Sequence, residues 1–142
     1  MIAKYDKGFT FIETIVTISI ILILSAAVGF SAIKYIDRAR IAACRNQIEM
    51  FRLALQTYLL DCGQYPTEAQ GLKALWEKPV VSPVPARWDG PYTDRQIPKD
   101  PWGIDYVFKN PGENNLPFSI MSFGADNKSG GEGSNADIHS WD

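Results

Sequence analysis

Hydrophobic and polar positions fall into three regimes along the chain. From Phe9 to Ile33 the only charge is Glu13, and this run exceeds the roughly 20 residues a helix needs to cross a bilayer. A secretory signal has an apolar core of only about 7–15 residues, ending at small residues. Ser25-Ala26-Ala27 imitates such an end, but the apolar run overshoots it. Past Ile33 neither proline nor glycine interrupts the chain before Gly63. Cys44, Ile48, Phe51, Leu55, Tyr58 and Cys62 recur at alternating steps of four and three, the mark of one helical face. Arg45, Asn46, Glu49, Arg52 and Gln56 take the other positions. The pattern predicts one helix from Phe9 to Asp61, greasy on all sides in its first half and amphipathic in its second. Such a helix is about 80 Å long, and Gly63 is placed to cap it in the left-handed conformation.

The third regime is shorter-ranged. Thr67 and Gln70 fit a capping box, which predicts a short helix to Glu77, ended by Pro79. Residues 79–101, "PVVSPVPARWDGPYTDRQIPKDP", read as loop. "IDYVFKN" (104–110) alternates as a strand does, 111–115 is a turn, and "FSIMSF" (118–123) is the returning strand. A glycine-rich acidic tail follows, with a final extended piece at Ile138 to Trp141. No internal repeat is visible. The expected architecture is α+β: a long N-terminal helix whose amphipathic half packs on a small antiparallel β-sheet.

Helix geometry also settles how the two cysteines relate. Cys44 and Cys62 share a face but lie five helical turns apart, roughly 27 Å, whereas a disulfide needs α-carbons within about 7 Å. They cannot pair within one chain while the helix is continuous. Burial as small apolar residues is one reading; pairing between chains is the other.

Charge changes the picture little. The formal net charge of −2 gives no argument for nucleic acid. Lys34, Arg38, Arg40 and Arg45 follow the apolar run, while Lys4 and Lys7 precede it. A naive positive-inside count would leave the large domain in the cytoplasm, but that rule weakens for whole domains.

Candidate chemistry is sparse. No nucleophile elbow, phosphate loop, HExxH or CxxC occurs, and the single histidine, His139, reads as a surface residue. The pattern does not point to an enzyme. Asp126 and Asp137 flank a loop containing Asn127, Ser129, Glu132, Ser134 and Asn135. Hard oxygen donors on a flexible loop suit calcium. Gly131 and Asp137 even stand where an EF-hand has its glycine and last acid, but Lys128 and Gly130 occupy two ligand positions, which excludes that motif. A calcium loop of another geometry and a plain solvated turn both stay open. Glu13 is the other candidate, since an intramembrane carboxylate is a functional site by default. Were the chain cut after Gly8, the new amine of Phe9 would supply a cation. At about 4 Å and an effective dielectric near 20, that pair attracts by roughly 4 kcal/mol before desolvation. Snorkelling to the headgroups is the alternative.

"KGFTFIET" resembles the prepilin-peptidase signature of type IV pilin-like proteins. "YPTEAQGLKAL", "DGPY", "PKDPWGIDYVF", "NPG", "SFGADNKSGGEG" and "ADIHSW" are similar to the major pseudopilins of the type II secretion system. The resemblance covers nearly the whole chain. It implies a leader (1–8), a transmembrane half-helix (9–33), an amphipathic half-helix (34–62) and a periplasmic globular region (63–142). It also implies cleavage after Gly8, N-methylation of Phe9, an assembly role for Glu13, and a single-pass inner-membrane precursor with its C-terminal domain in the periplasm. The expected product is a homopolymer, a pseudopilus that drives folded exoproteins through an outer-membrane channel. Its expected partners are prepilin peptidase, minor pseudopilins and an inner-membrane assembly platform, with no nucleic acid. A type IV pilin or competence pseudopilin, for adhesion, motility or DNA uptake, is the alternative. The family's calcium site implies Asp126 and Asp137 as acidic ligands, joined by Ser122 and the backbone of Met121. Two departures stand out. Many relatives carry a helix-breaking proline late in the span, where this chain reads "AAVGFSAI", with Gly29 its only weak point. Relatives also often have glycine where this chain has Asn127.

Overall fold

The computed structural model describes residues 8–142, and the side chains of all of these but 29–31. The leader assigned to residues 1–8 therefore lies, apart from Gly8, outside the described residues. Helix α1 runs Phe11–Cys62 without a break. Compact packing divides the chain between Ile36 and Asp37 into two units.

In the first unit the large apolar side chains are turned outward among the described residues. Phe11, Ile12, Ile18, Leu22, Ile23 and Leu24 are all exposed, as in a helix whose surroundings are themselves apolar. The helix is long and apolar enough to cross a membrane. Three of its hydroxyls turn back onto the preceding turn: Thr14 Oγ1 donates to the Thr10 carbonyl at 3.2 Å, Thr17 Oγ1 to that of Glu13 at 2.7 Å and Ser19 Oγ to that of Ile15 at 2.8 Å. A hydroxyl satisfied in this way costs far less to place in hydrocarbon than a bare one.

The second unit is built on the stripe that the periodicity marks. Cys44, Ile48, Phe51, Leu55 and Tyr58 are buried; Cys62, at the helix end, is half-buried. Against them pack Leu72, Leu75, Phe108, Phe118, Ile120 and Ile138. Phe51 meets Tyr106 edge-on at 5.2 Å, and Tyr58 meets Tyr92 at 5.4 Å. Gly63 ends the helix at φ +77°, its N–H donating to the Leu59 carbonyl at 2.8 Å. Both cysteines are free thiols. Burial, ahead of any neighbour, pushes the Cys44 thiol above its ordinary value, which keeps it unreactive.

The capping box at Thr67 and Gln70 forms reciprocally, at 3.0 and 3.3 Å, but the helix expected as far as Glu77 does not. Gly71, at φ 61°, ψ −170°, breaks it, and only a 3₁₀ turn, Leu72–Leu75, follows. Residues 79–101 form neither helix nor strand. Prolines leave that segment short of N–H donors, so one buried and one half-buried side chain tether it instead. Gln70 Nε2 donates to the carbonyls of Val81 (2.7 Å) and Pro83 (2.8 Å), and Trp88 Nε1 to that of Ala74 (2.9 Å).

The sheet has three antiparallel strands in the order β1 (Val107–Lys109), β2 (Ser119–Ser122) and β3 (Ile138–His139). All three are shorter than the alternation predicts. Ile104 lies outside β1 because Asp100 captures its N–H at 2.8 Å while its carbonyl accepts from the Asp100 N–H. Beyond His139 only Ser140 stays on the sheet, its N–H and Oγ both bonded to the backbone of Ile120. The central strand β2 is buried at every position.

The two faces of α1 give a direct test. Leu55→Ala should cost about 2–5 kcal/mol, the usual range for emptying a packed site. Leu53→Ala, at a position 63% exposed, should stay within about 0.5 kcal/mol. Urea unfolding of the full chain in detergent, followed by tryptophan fluorescence, measures both. Equal costs would contradict the packing described.

Candidate functional site

Two groups of sequence-marked residues are candidates, one in each unit. At the start of α1, a Cβ on Gly8 would meet nothing within 4 Å among the described residues, and Phe9 is 88% exposed. Thr10 caps the helix. Its N–H and its hydroxyl both donate to Glu13 Oε2, at 2.7 and 2.8 Å, and its Oγ1 accepts the Glu13 N–H at 3.3 Å. This is a capping box with its carboxylate at the positive end of the helix dipole. T-x-x-E is its sequence signature, and it was legible beside the cleavage signature. The carboxylate is therefore held at the helix mouth, within one turn of Phe9.

The tail is organised by two 3₁₀ turns that pack on one another, Gly124–Asp126 and Gly133–Asn135. Gly124, at φ +63°, lies so close to residues 134–136 that a Cβ there would meet the carbonyl oxygens of Ser134 and Ala136 at 2.7 and 2.9 Å. Asn127 adopts the left-handed conformation, φ 54°, ψ 38°, one that asparagine tolerates better than most residues other than glycine. Asp126 Oδ1 accepts the Lys128 N–H at 3.2 Å, and Asp137 Oδ2 accepts that of Gly130 at 2.9 Å. Asp137 Oδ1 is buried with no hydrogen-bond partner among the described residues. A buried carboxylate oxygen without a donor is costly, and a cation is one group that would satisfy it, as a bound water is another. Among the described residues no three His, Cys, Asp or Glu side chains gather into a metal cluster. Any cation here would depend on backbone and neutral oxygens as well as the two aspartates, which suits calcium rather than a transition metal.

Met121 lies in β2, registered against Val107 and His139. The Ser122 hydroxyl is engaged elsewhere: it donates to Asp100 Oδ2 at 2.6 Å and accepts the Gly124 N–H at 3.2 Å. Asp100 is the residue the sequence reading passed over. It is 4% exposed, and its Oδ1 accepts the N–H groups of Trp102 (3.0 Å) and Ile104 (2.8 Å). Its signal was the turn sequence Asp-Pro-Trp-Gly, in which an aspartate commonly binds the backbone two residues on. His139 is half-buried rather than a plain surface residue. Its ring stacks on Trp141 at 4.4 Å and 13°, and its Nδ1 is buried without a partner among the described residues.

Two family models match the chain: "Type II secretion system (T2SS), protein G" over residues 31–141, and "Prokaryotic N-terminal methylation motif" over residues 3–29. The type II secretion system core protein G of Pseudomonas aeruginosa is 38% identical over 139 residues, covering 98% of this chain and 97% of that one. The Vibrio cholerae protein of the same description is also 38% identical, over 97% and 93% of the two chains. That of Escherichia coli K12 is 36% identical, over 96% and 91%. Among solved structures, the major pseudopilin from the type 2 secretion system of enterohaemorrhagic Escherichia coli superposes with a TM-score of 0.63. It is 38% identical and covers 74% of this chain and 89% of its own.

Gly124 and Gly133 share a φ of +63°, but a Cβ at Gly133 meets nothing within 4 Å. Gly133→Ala should therefore cost only the backbone strain, about 1–2 kcal/mol, and Gly124→Ala distinctly more. Urea midpoints of the two variants check this, and equal losses would mean that the two turns do not pack as described.

Proposed function

The chain belongs to the type II secretion system protein G family, and from that membership we propose that it is the major structural subunit of a pseudopilus. It polymerises in the periplasm and moves folded exoproteins toward the outer-membrane channel; it is not an enzyme. The observation that carries this reading is the match along nearly the full length of both this chain and its relatives, on a helix whose first half is apolar all round. A monomer has no use for that surface in water. It suits the inner membrane before assembly and neighbouring helices afterwards.

The start of α1 fits the processing step. Prepilin peptidase cuts after Gly8, and Phe9, itself exposed, becomes the N-methylated terminus. The new amine then lies within a turn of the Glu13 carboxylate, which Thr10 already positions. Glu13 pairs with that amine, its own or a neighbour's, so the charge buried on assembly is a neutral pair rather than a lone carboxylate. The subunit passes from a single-pass inner-membrane precursor, its C-terminal domain in the periplasm, to the filament. Minor pseudopilins and an inner-membrane platform are its partners.

Asp126 and Asp137 would hold a calcium ion in the tail, with backbone oxygens near Met121. The buried Asp137 Oδ1, without a partner among the described residues, supports that choice. Bound there, calcium would supply charge neutralisation and a tie between the tail and β2, stabilising the folded form by mass action.

Deleting the gene should abolish exoprotein release while leaving surface motility and DNA uptake unchanged, as read by secretion, twitching and transformation assays on one strain. Normal secretion with lost motility or transformation would give the protein to the pilin alternative.

A second expectation separates the two things Glu13 can do. Glutamine can serve in a capping box but carries no charge. Glu13→Gln and Glu13→Leu should both insert and be cleaved at Gly8, and both should fail to form filaments, as read by immunoblot and by shearing of pili. A Glu13→Gln protein that assembles normally would reduce the residue to a helix cap.

A further inference from the structure

We infer that Asp100 is a positioning residue for the tail cation site, acting through Ser122; this rests on the calcium reading above. Asp100 is a buried carboxylate with no ion pair among the described residues. Burying such a charge is expensive unless hydrogen bonds compensate it. Three do: the N–H groups of Trp102 and Ile104 on Oδ1 and the Ser122 hydroxyl on Oδ2. The first two shape the turn at 100–104, and a neutral asparagine could accept them equally well. The third spans 22 residues of chain to the end of β2, and there an ionised oxygen matters.

The Ser122 hydroxyl has one proton. Asp100 takes it, which turns an oxygen lone pair toward the Gly124 N–H at 3.2 Å. Gly124 is the residue that lies against the backbone of 134–136. On one side of that contact the chain reaches Asp126 two residues on, and on the other it reaches Asp137 directly. The relay thus runs from Asp100 to Ser122, to Gly124, and to the contact that brings the two acidic turns together. Ser122 contributes by fixing backbone, not as a hydroxyl ligand. Partners behind the ligands commonly change metal affinity by about 10–100-fold.

Asp100→Asn keeps an oxygen for Trp102 and Ile104 but presents an amide donor to Ser122, reversing the polarity of the third bond. Ser122→Ala removes the hydroxyl while keeping the strand. Isothermal titration of calcium chloride into the full chain in detergent should show each variant binding at least tenfold more weakly than the parent chain. The double variant should be no worse than the weaker single one, because both changes cut the same relay. Unfolding in chelator is measured in parallel. Variants that lose stability in chelator yet bind calcium with the parent's affinity would overturn the inference and leave Asp100 a purely structural group. Additive losses would overturn the route through Ser122. Should Asp100→Asn fail to fold, Ser122→Ala carries the test alone. If the parent chain itself gives no calcium heat, the calcium reading falls, and the inference with it.

Discussion

One stripe of α1 holds the larger unit together. The three strands are too short to form a stable sheet alone, and the segment between the Leu72–Leu75 turn and β1 has no regular structure at all. What these pieces share is contact with the cluster around Cys44, Ile48, Phe51, Leu55 and Tyr58. Since α1 supplies one side of the core as a single rigid element, the other side can be assembled from fragments. Each fragment needs only one or two apolar anchors: Leu75 from the 3₁₀ turn, Phe108 from β1, Phe118 and Ile120 from the β2 region, Ile138 from β3.

Fragments of this kind leave backbone groups that no ladder satisfies, and buried polar side chains take over that work. Gln70 holds two carbonyls of the proline-rich segment, Asp100 two N–H groups of the next turn, and Ser140 the N–H of Ile120. Each is itself buried. In a larger sheet the same groups would bond strand to strand. Here a few side chains replace that regularity, so a polar-to-apolar change at one of them strands partners that water cannot reach.

This division explains what was legible in the sequence. The long helix and its core face follow from a periodicity repeated over several turns, and α1 ends within one residue of the expectation. The apolar half needs only hydropathy. The short helix after Thr67 extends less far than expected because its capping box is real but Gly71, at φ 61°, takes a conformation open mainly to glycine and leaves the helix. The strands were overread for a related reason: alternation persists through Ile104, but Asp100 claims its backbone first. Asp100 escaped because it looks ordinary as a residue type, and the Thr10–Glu13 cap because its T-x-x-E signature lies inside the cleavage signature. Their importance lies in partners, 22 residues away in one case and hidden under a stronger signature in the other. The tail acids were visible as a pair, whereas the packing of their two turns rests on Gly124, whose role only geometry shows.

The two candidate sites share a physical form. At each, a carboxylate is oriented by neutral hydrogen-bond donors and has no cation partner among the described residues: Glu13 by Thr10, and Asp137 by the Gly130 N–H with its second oxygen left over. Neutral donors fix direction without cancelling charge, so both groups retain most of their attraction for a positive partner. On the proposed reading, each partner arrives from outside the folded chain, one as an amine released by cleavage and the other as a dissolved ion. Folding then produces the geometry, and a separate event neutralises it. That separation suits a subunit stored in a membrane before use, because a chain whose charges were already paired would gain nothing electrostatically from being processed and assembled.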